Sequence, residues 1–147
     1  MDQFEQVEIL LVEDNALDAE LTTRALKNGG LANKLLWVKD GQEALDYLFR
    51  AGEYAGRENT VPRLVLLDLK MPKVDGIEVL KAVKANDRTK RIPVVVMTSS
   101  QEEKDMAQTY DLGVNSYVVK PVDFNALAEL ARQAGYYWLA INRTPTA

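Results

Sequence analysis

The sequence predicts an α/β domain: a five-stranded parallel sheet with helices on both faces. Three observations predict it. Short apolar runs alternate with helix-like segments five times along the chain. The central runs are near-continuous aliphatics, the pattern of strands buried on both faces, where a strand with one wet face would alternate. Strict alternation of strand and helix calls for crossover connections, which are almost always right-handed and place helices on both sides of a parallel sheet.

The first run is Val7 to Val12. Leu17, Leu21 and Ala25 follow at four-residue spacing, and Gly29-Gly30 marks the end of that helix. The second run is Leu35-Leu36-Trp37-Val38. Asp40 and Glu43 have the spacing of a capping box for a helix carrying Leu45, Leu48 and Phe49, with Gly52 as its expected end. Glu53 to Pro62 reads as a polar loop, and Leu64 to Leu67 as the third run. Asp75-Gly76 opens a helix with Ile77, Leu80 and Val83. The fourth run is Ile92 to Met97, and Ser100 with Glu103 is expected to cap the helix through Met106 to Leu112. Ser116 to Val119 is the fifth run. Asp123 caps a last helix carrying Phe124, Leu127, Ala131, Ala134 and Trp138. The expected topology is the flavodoxin-like (βα)5 arrangement with strand order 2-1-3-4-5. One domain over residues 5–141 is expected, with terminal tails 1–4 and 142–147.

Composition narrows the chemistry. The 147 residues are 47% hydrophobic and 27% charged, values of a globular chain with a full core. With no cysteine, thiol catalysis, disulfides and zinc thiolate sites are excluded. With no histidine, a Ser-His-Asp triad is excluded, as is the phosphohistidine side of a phosphorelay. The amino terminus lacks the cationic start and apolar stretch of a signal peptide, and no apolar run is long enough to span a membrane. The expected location is cytoplasmic. The net charge of −4 argues against nucleic acid as a partner.

The strand ends carry the function. In an open α/β sheet, ligands bind at the carboxyl ends of the strands, at the switch point between strands one and three. The first run ends in Glu13-Asp14 and the third in Asp68. Carboxylates gathered at one edge repel one another, and a hard divalent cation relieves that repulsion; oxygen ligands select Mg²⁺. The fourth run ends at Met97-Thr98-Ser99 and the fifth at Val119-Lys120-Pro121. This set fits phosphoryl transfer to a carboxylate. Asp68 is the expected nucleophile, forming an aspartyl phosphate. Asp14 and Asp68 are expected as direct Mg²⁺ ligands, Glu13 directly or through water, with the backbone oxygen of Lys70 completing the set. Lys120 and the Thr98 hydroxyl are expected to meet phosphoryl oxygens. Each residue alone has an ordinary reading: Asp14 or Asn15 and Thr98 as helix caps, Lys120 as a surface charge. Those readings leave unexplained why all of them sit at one edge.

The chain resembles the receiver domain of two-component response regulators. The resemblance rests on Leu11-Val12-Glu13-Asp14-Asn15, on Leu66-Leu67-Asp68-Leu69-Lys70-Met71-Pro72-Lys73-Val74-Asp75-Gly76, on Met97-Thr98-Ser99 and on Val119-Lys120-Pro121. It covers about residues 5 to 141. The segments Gly52-Glu53-Tyr54, Arg91 to Val96 and Tyr137-Trp138-Leu139 are similar to the small regulators partnered with cyanobacterial phytochromes. The resemblance implies a cis Lys120-Pro121 bond. It also implies a switch in which Tyr117 moves with Thr98 on phosphorylation. The implied donor is a sensor histidine kinase of phytochrome type. The chain ends soon after the last helix, so output is expected through protein contact or onward phosphotransfer, without a DNA-binding domain. A turnover enzyme is not expected: a Mg²⁺-dependent phosphatase like the haloacid dehalogenases would carry an acid where Lys70 stands. A flavin carrier would need a Ser-, Thr- or Gly-rich loop where Glu13-Asp14-Asn15 stands, and a pseudo-receiver would not keep the full acid set.

Phe124, Leu127, Ala131, Ala134, Trp138 and Ile141 recur at helical spacing, the pattern of a packed face. Tyr136, Tyr137 and Trp138 are adjacent and cannot all face one side. A homodimer is expected through the face of the fourth helix, fifth strand and last helix, with Tyr110, Tyr136, Tyr137 and Trp138 in the interface. Receivers often pair through that face.

Overall fold

Five strands run parallel in the order 2-1-3-4-5, the topology expected from the sequence. The computed structural model describes residues 7–31 and 34–145. The expected tail 1–4, the domain start at 5 and residues 146–147 lie outside the described residues. The strands are β1 (Ile9–Val12), β2 (Leu35–Val38), β3 (Leu64–Leu67), β4 (Val94–Thr98) and β5 (Ser116–Val119). Between and after them lie α1 (Ala16–Asn28), α2 (Gly41–Phe49), α3 (Gly76–Ala85), α4 (Glu103–Asp111) and α5 (Phe124–Tyr136). A π-helical turn, Tyr137–Ile141, extends α5.

The central strands β1, β3 and β4 are buried throughout, while the edge strands are half-buried apart from Val38. This is why their sequences read as unbroken aliphatic runs. Successive side chains go to opposite faces. Leu10, Val12, Val65, Leu67, Val94 and Val96 pack with Ala44 and Leu48 of α2 and Val79, Leu80 and Val83 of α3. Ile9, Leu11, Leu64, Leu66, Val95 and Met97 pack with Ala19 and Leu26 of α1 and Leu127 and Ala131 of α5.

Three expected N-caps form. The carboxylates of Asp40, Asp75 and Asp123 accept from the backbone N–H of Glu43, Glu78 and Ala126. Two expectations are corrected. The second helix ends at Phe49 with Arg50 in the left-handed region, φ 55°, and Gly52 opens a separate 3-10 turn. The Ala51 N–H closes that helix end onto the Asp46 carbonyl, so the glycine is not needed there. The fourth helix starts at Glu103 with Glu102 as its N-cap and no side-chain capping bond; Ser100 lies two residues earlier, where its hydroxyl accepts from the Glu102 N–H at 3.3 Å and donates to the Asp105 carboxylate. The loop after α2 is tied down by two guanidiniums. Arg57 donates to the Tyr47 carbonyl and Arg88 to the Leu48 carbonyl, at the negative end of α2, and both donate to the Thr60 carbonyl.

Candidate functional site

The parallel ladders run one residue past the strands, and each extra rung places a site residue. The Glu13 N–H donates to the Val38 carbonyl, the Asp68 N–H to Val12 and the Lys120 N–H to Thr98. Register pairs Val12 with Leu67, so Glu13 and Asp68 leave neighbouring strands side by side. Asp14 follows on the exposed rim. Carboxylate oxygens of Glu13, Asp14 and Asp68 lie within 4.8 Å of one another. Thr98 is buried at the end of β4, where its hydroxyl accepts from the Ser100 N–H at 3.3 Å.

Lys120 is no surface charge. Its ammonium lies 2.7 Å from Glu13 Oε1, 2.9 Å from Asp18 Oδ2 and 3.2 Å from Asp68 Oδ2. An ammonium has three N–H donors, so it can serve all of these partners at once. The remaining carboxylate oxygens of the buried pair are also satisfied. Asp68 Oδ1 accepts from the Leu69 N–H at 2.7 Å and Glu13 Oε2 from the Asn15 N–H at 3.1 Å. Asp68 is thereby fixed with one oxygen held by backbone and the other turned into the cluster.

Electrostatics follow from burial. Desolvation pushes the Glu13 carboxyl up; the bond from Lys120 opposes this and the Asp68 charge adds to it, leaving it at about 7 against an ordinary 4.5. Burial alone would pull the Lys120 ammonium down, but its bond to Glu13, the charges on Asp68 and Glu13 and its bond to Asp18 outweigh that and hold it above its ordinary range. At pH 7 the cluster therefore keeps a cation at its centre.

Gly76 sets the floor of the site. A Cβ there would lie 2.2 Å from the Asp68 carbonyl oxygen and 2.7 Å from Leu69 Cα. Its N–H donates to the Leu69 carbonyl, so the start of α3 rests directly on the backbone of the acid strand end. Trp37, on the edge strand, donates its indole N–H to the Glu13 carbonyl at 2.7 Å. Sequence reasoning missed both Trp37 and Asp18 as site residues. Asp18 stands three residues past the Asn15 cap, on the first turn of α1. That spacing, which returns a helical side chain toward the cap, was the available signal.

The other expected residues are placed as follows. Lys70 directs its ammonium to Asp105 at 3.4 Å and Glu102 at 4.0 Å. The half-buried Tyr117 donates its hydroxyl to the Ser100 carbonyl at 3.0 Å, which links β5 to the segment after Thr98. The Lys120-Pro121 bond is trans, not cis. The trans form is the favoured one for most prolyl bonds, by about 0.5–1 kcal/mol. Tyr110, Tyr136 and Tyr137 are exposed. Trp138 is half-buried against the α1–α5 core and meets Tyr137 edge-on, with ring centroids 5.0 Å apart.

Residues 9–132 match the family model described as the response regulator receiver domain. The chain belongs to this family. It is 47% identical over 137 residues to a probable methanogenesis regulatory protein, FilR2, of Methanothrix harundinacea, covering 93% of this chain and 86% of that one. It is 40% identical to response regulator Rcp1 of Synechocystis, over 95% of this chain and 93% of that one. The crystal structure of the phosphorylated cyanobacterial phytochrome response regulator RcpA superposes with a TM-score of 0.89 at 40% identity, covering 97% of this chain and 100% of that one. The Mn²⁺-bound form of Rcp1 superposes with a TM-score of 0.88 at 38% identity, covering 96% and 100%. The protein is thus a receiver of the response regulator type, a family of signalling proteins. Its acid cluster has the donor chemistry of a divalent-cation site, as hard carboxylate oxygens within reach of one ion require. Among the described residues, no helix is long and apolar enough to cross a membrane.

Proposed function

We propose that Asp68 is the phosphoacceptor of a two-component phosphorelay and that a sensor histidine kinase of phytochrome type is its donor. The observation that carries this reading is the environment of Asp68. One carboxylate oxygen is locked by the Leu69 N–H, while the other faces the Lys120 ammonium inside an acid cluster. The phosphoryl group leaves a phosphohistidine nitrogen and its P–O bond forms to Asp68; the released imidazole carries away the electron pair of the broken P–N bond. Lys120 supplies the positive charge that phosphoryl oxygens need, and the buried Thr98 hydroxyl supplies a donor at the next strand end. Mg²⁺ fits the donor set, with Asp14, Asp68, Glu13 and the main-chain oxygen of Lys70 as its ligands; it would neutralise charge on the transferring group. Similarity to a phytochrome response regulator supports the choice of kinase.

The new charge would shift the population toward a conformer in which Thr98 and Tyr117 have moved. The Tyr117 bond to the Ser100 carbonyl supports this role, because it joins β5 to the segment between Thr98 and α4. The protein acts as a switch rather than a turnover enzyme, in the cytoplasm, with residues 5–141 as one receiver domain. Its output goes through protein contact or onward phosphotransfer.

Incubation with acetyl phosphate and Mg²⁺, followed by intact mass measurement, tests the central assignment. The parent should gain one phosphoryl group and Asp68→Asn none; a gain that persists in the variant refutes Asp68 as the acceptor. The proposed homodimer uses the exposed Tyr136 at the end of α5, Tyr137 and Trp138 in the π-helical turn that follows, and Tyr110 near the end of α4. Sedimentation should show a dimer that Tyr137→Ala weakens. A parent that sediments as a monomer, phosphorylated or not, ends that part of the reading.

A further inference from the structure

Lys120 has partners of two kinds. Glu13 and Asp68 belong to the acid cluster; Asp18 stands outside that group, on α1, with its side chain 23% exposed. The ammonium bonds all of these within 3.2 Å. A cation entering the cluster and the Lys120 ammonium draw on the same two carboxylates, those of Glu13 and Asp68. How strongly they compete depends on what else holds the ammonium.

We propose that Asp18 is a positioning residue for Lys120, anchoring the ammonium on the α1 side so that Glu13 and Asp68 remain available to a divalent cation. This rests on the reading of Glu13, Asp14 and Asp68 as the metal site. The anchor is local: Asp18 Oδ2 lies 2.9 Å from Nζ, a charge-assisted bond made across 102 residues of chain. The backbone already holds Asp18 in place through its N–H bond to the Asn15 side chain at 2.9 Å. The carboxylate makes this bond from a favourable place in the first turn of α1. Without its charge, the ammonium would transfer its weight to Glu13 and Asp68 and oppose the metal more strongly.

The test is a double-mutant cycle in Mg²⁺ affinity, read by calorimetry on the full chain. Asp18→Asn keeps the shape and removes the charge. It should weaken Mg²⁺ binding about fivefold in the parent and leave it unchanged in a Lys120→Ala background. Thermal melting of each variant confirms that it is folded, and Asp18→Ala should give the same sign if Asp18→Asn does not fold. Equal weakening in both backgrounds would mean that Asp18 acts through its long-range field, and it overturns the proposal. Unchanged or tighter binding in the parent overturns it too. A parent that binds no Mg²⁺ overturns the metal reading itself, and the proposal falls with it.

Discussion

Glu13 provides a pH-dependent test of the site that needs no phosphoryl donor. Its carboxyl is buried and stands at about 7 in the folded protein, against 4.5 ordinarily. The folded state therefore holds the proton more tightly than the unfolded chain does. That contribution to stability is fully present below pH 4.5 and is lost as pH rises through 7. At about 1.4 kcal/mol per pH unit, the loss amounts to about 3 kcal/mol. A glutamine is shaped like the protonated acid and does not titrate. Glu13→Gln and the parent should thus have nearly equal stability near pH 5 and diverge above it, the variant being more stable by about 2–3 kcal/mol at pH 8. Urea denaturation of both proteins from pH 5 to pH 8, with chelator present, measures the gap. Saturating Mg²⁺ should narrow it, because metal binding to the ionised carboxylates stabilises the parent. A gap that stays constant with pH, or a parent that gains on the variant as pH rises, refutes the claim that Glu13 is a buried acid held near neutrality.

Gly76→Ala should destabilise the fold by about 1–3 kcal/mol even though alanine is the better helix former, because its Cβ must displace the Asp68 backbone; chemical denaturation measures it, and parental stability would show that α3 can move away freely. Trp37 emission should change when Mg²⁺ is added, since its indole holds the Glu13 carbonyl. Trp37→Phe should abolish that response and cost about 1 kcal/mol of stability. A response that survives in the variant must come from Trp138, and the proposed link between the edge strand and the acid loop is then wrong.

The sheet was legible because burial on both faces leaves a plain record. Residues Leu64 to Leu67 and Val94 to Met97 are aliphatic at every position, and each of them is buried. The N-caps at Asp40, Asp75 and Asp123 were legible for the same local reason: an acid meets backbone N–H groups a few residues away. Errors arose where other groups met the same need. Ser100 has the spacing of a cap, but the helix starts two residues later, and the Ser100 hydroxyl bridges the Glu102 N–H and the Asp105 carboxylate. Gly52 looks like a helix end, but Arg50 takes the left-handed position, and the α2 carbonyls are met by Arg57 and Arg88 from elsewhere in the chain. No local pattern announces a guanidinium that arrives from 40 residues away.

The site divides along the same line. Glu13, Asp14, Asp68, Thr98 and Lys120 could be placed together from sequence because topology alone brings strand ends to one edge. What topology does not give is how the charges balance. Read from the sequence, three carboxylates repel one another and call for a metal. In the structure an ammonium already stands among them, bonded to Glu13, Asp18 and Asp68. The cluster is therefore a balance of four acids and one cation rather than an unpaired group of three, and Asp18, which no strand end carries, belongs to it. A divalent cation or a phosphoryl group arriving here changes that balance, and Lys120 is the part able to redistribute its bonds in response. The backbone below it is held by Gly76 on Asp68 and by Trp37 on Glu13, so these two acids are held in place while the ammonium, on its long flexible stem, is the component able to answer.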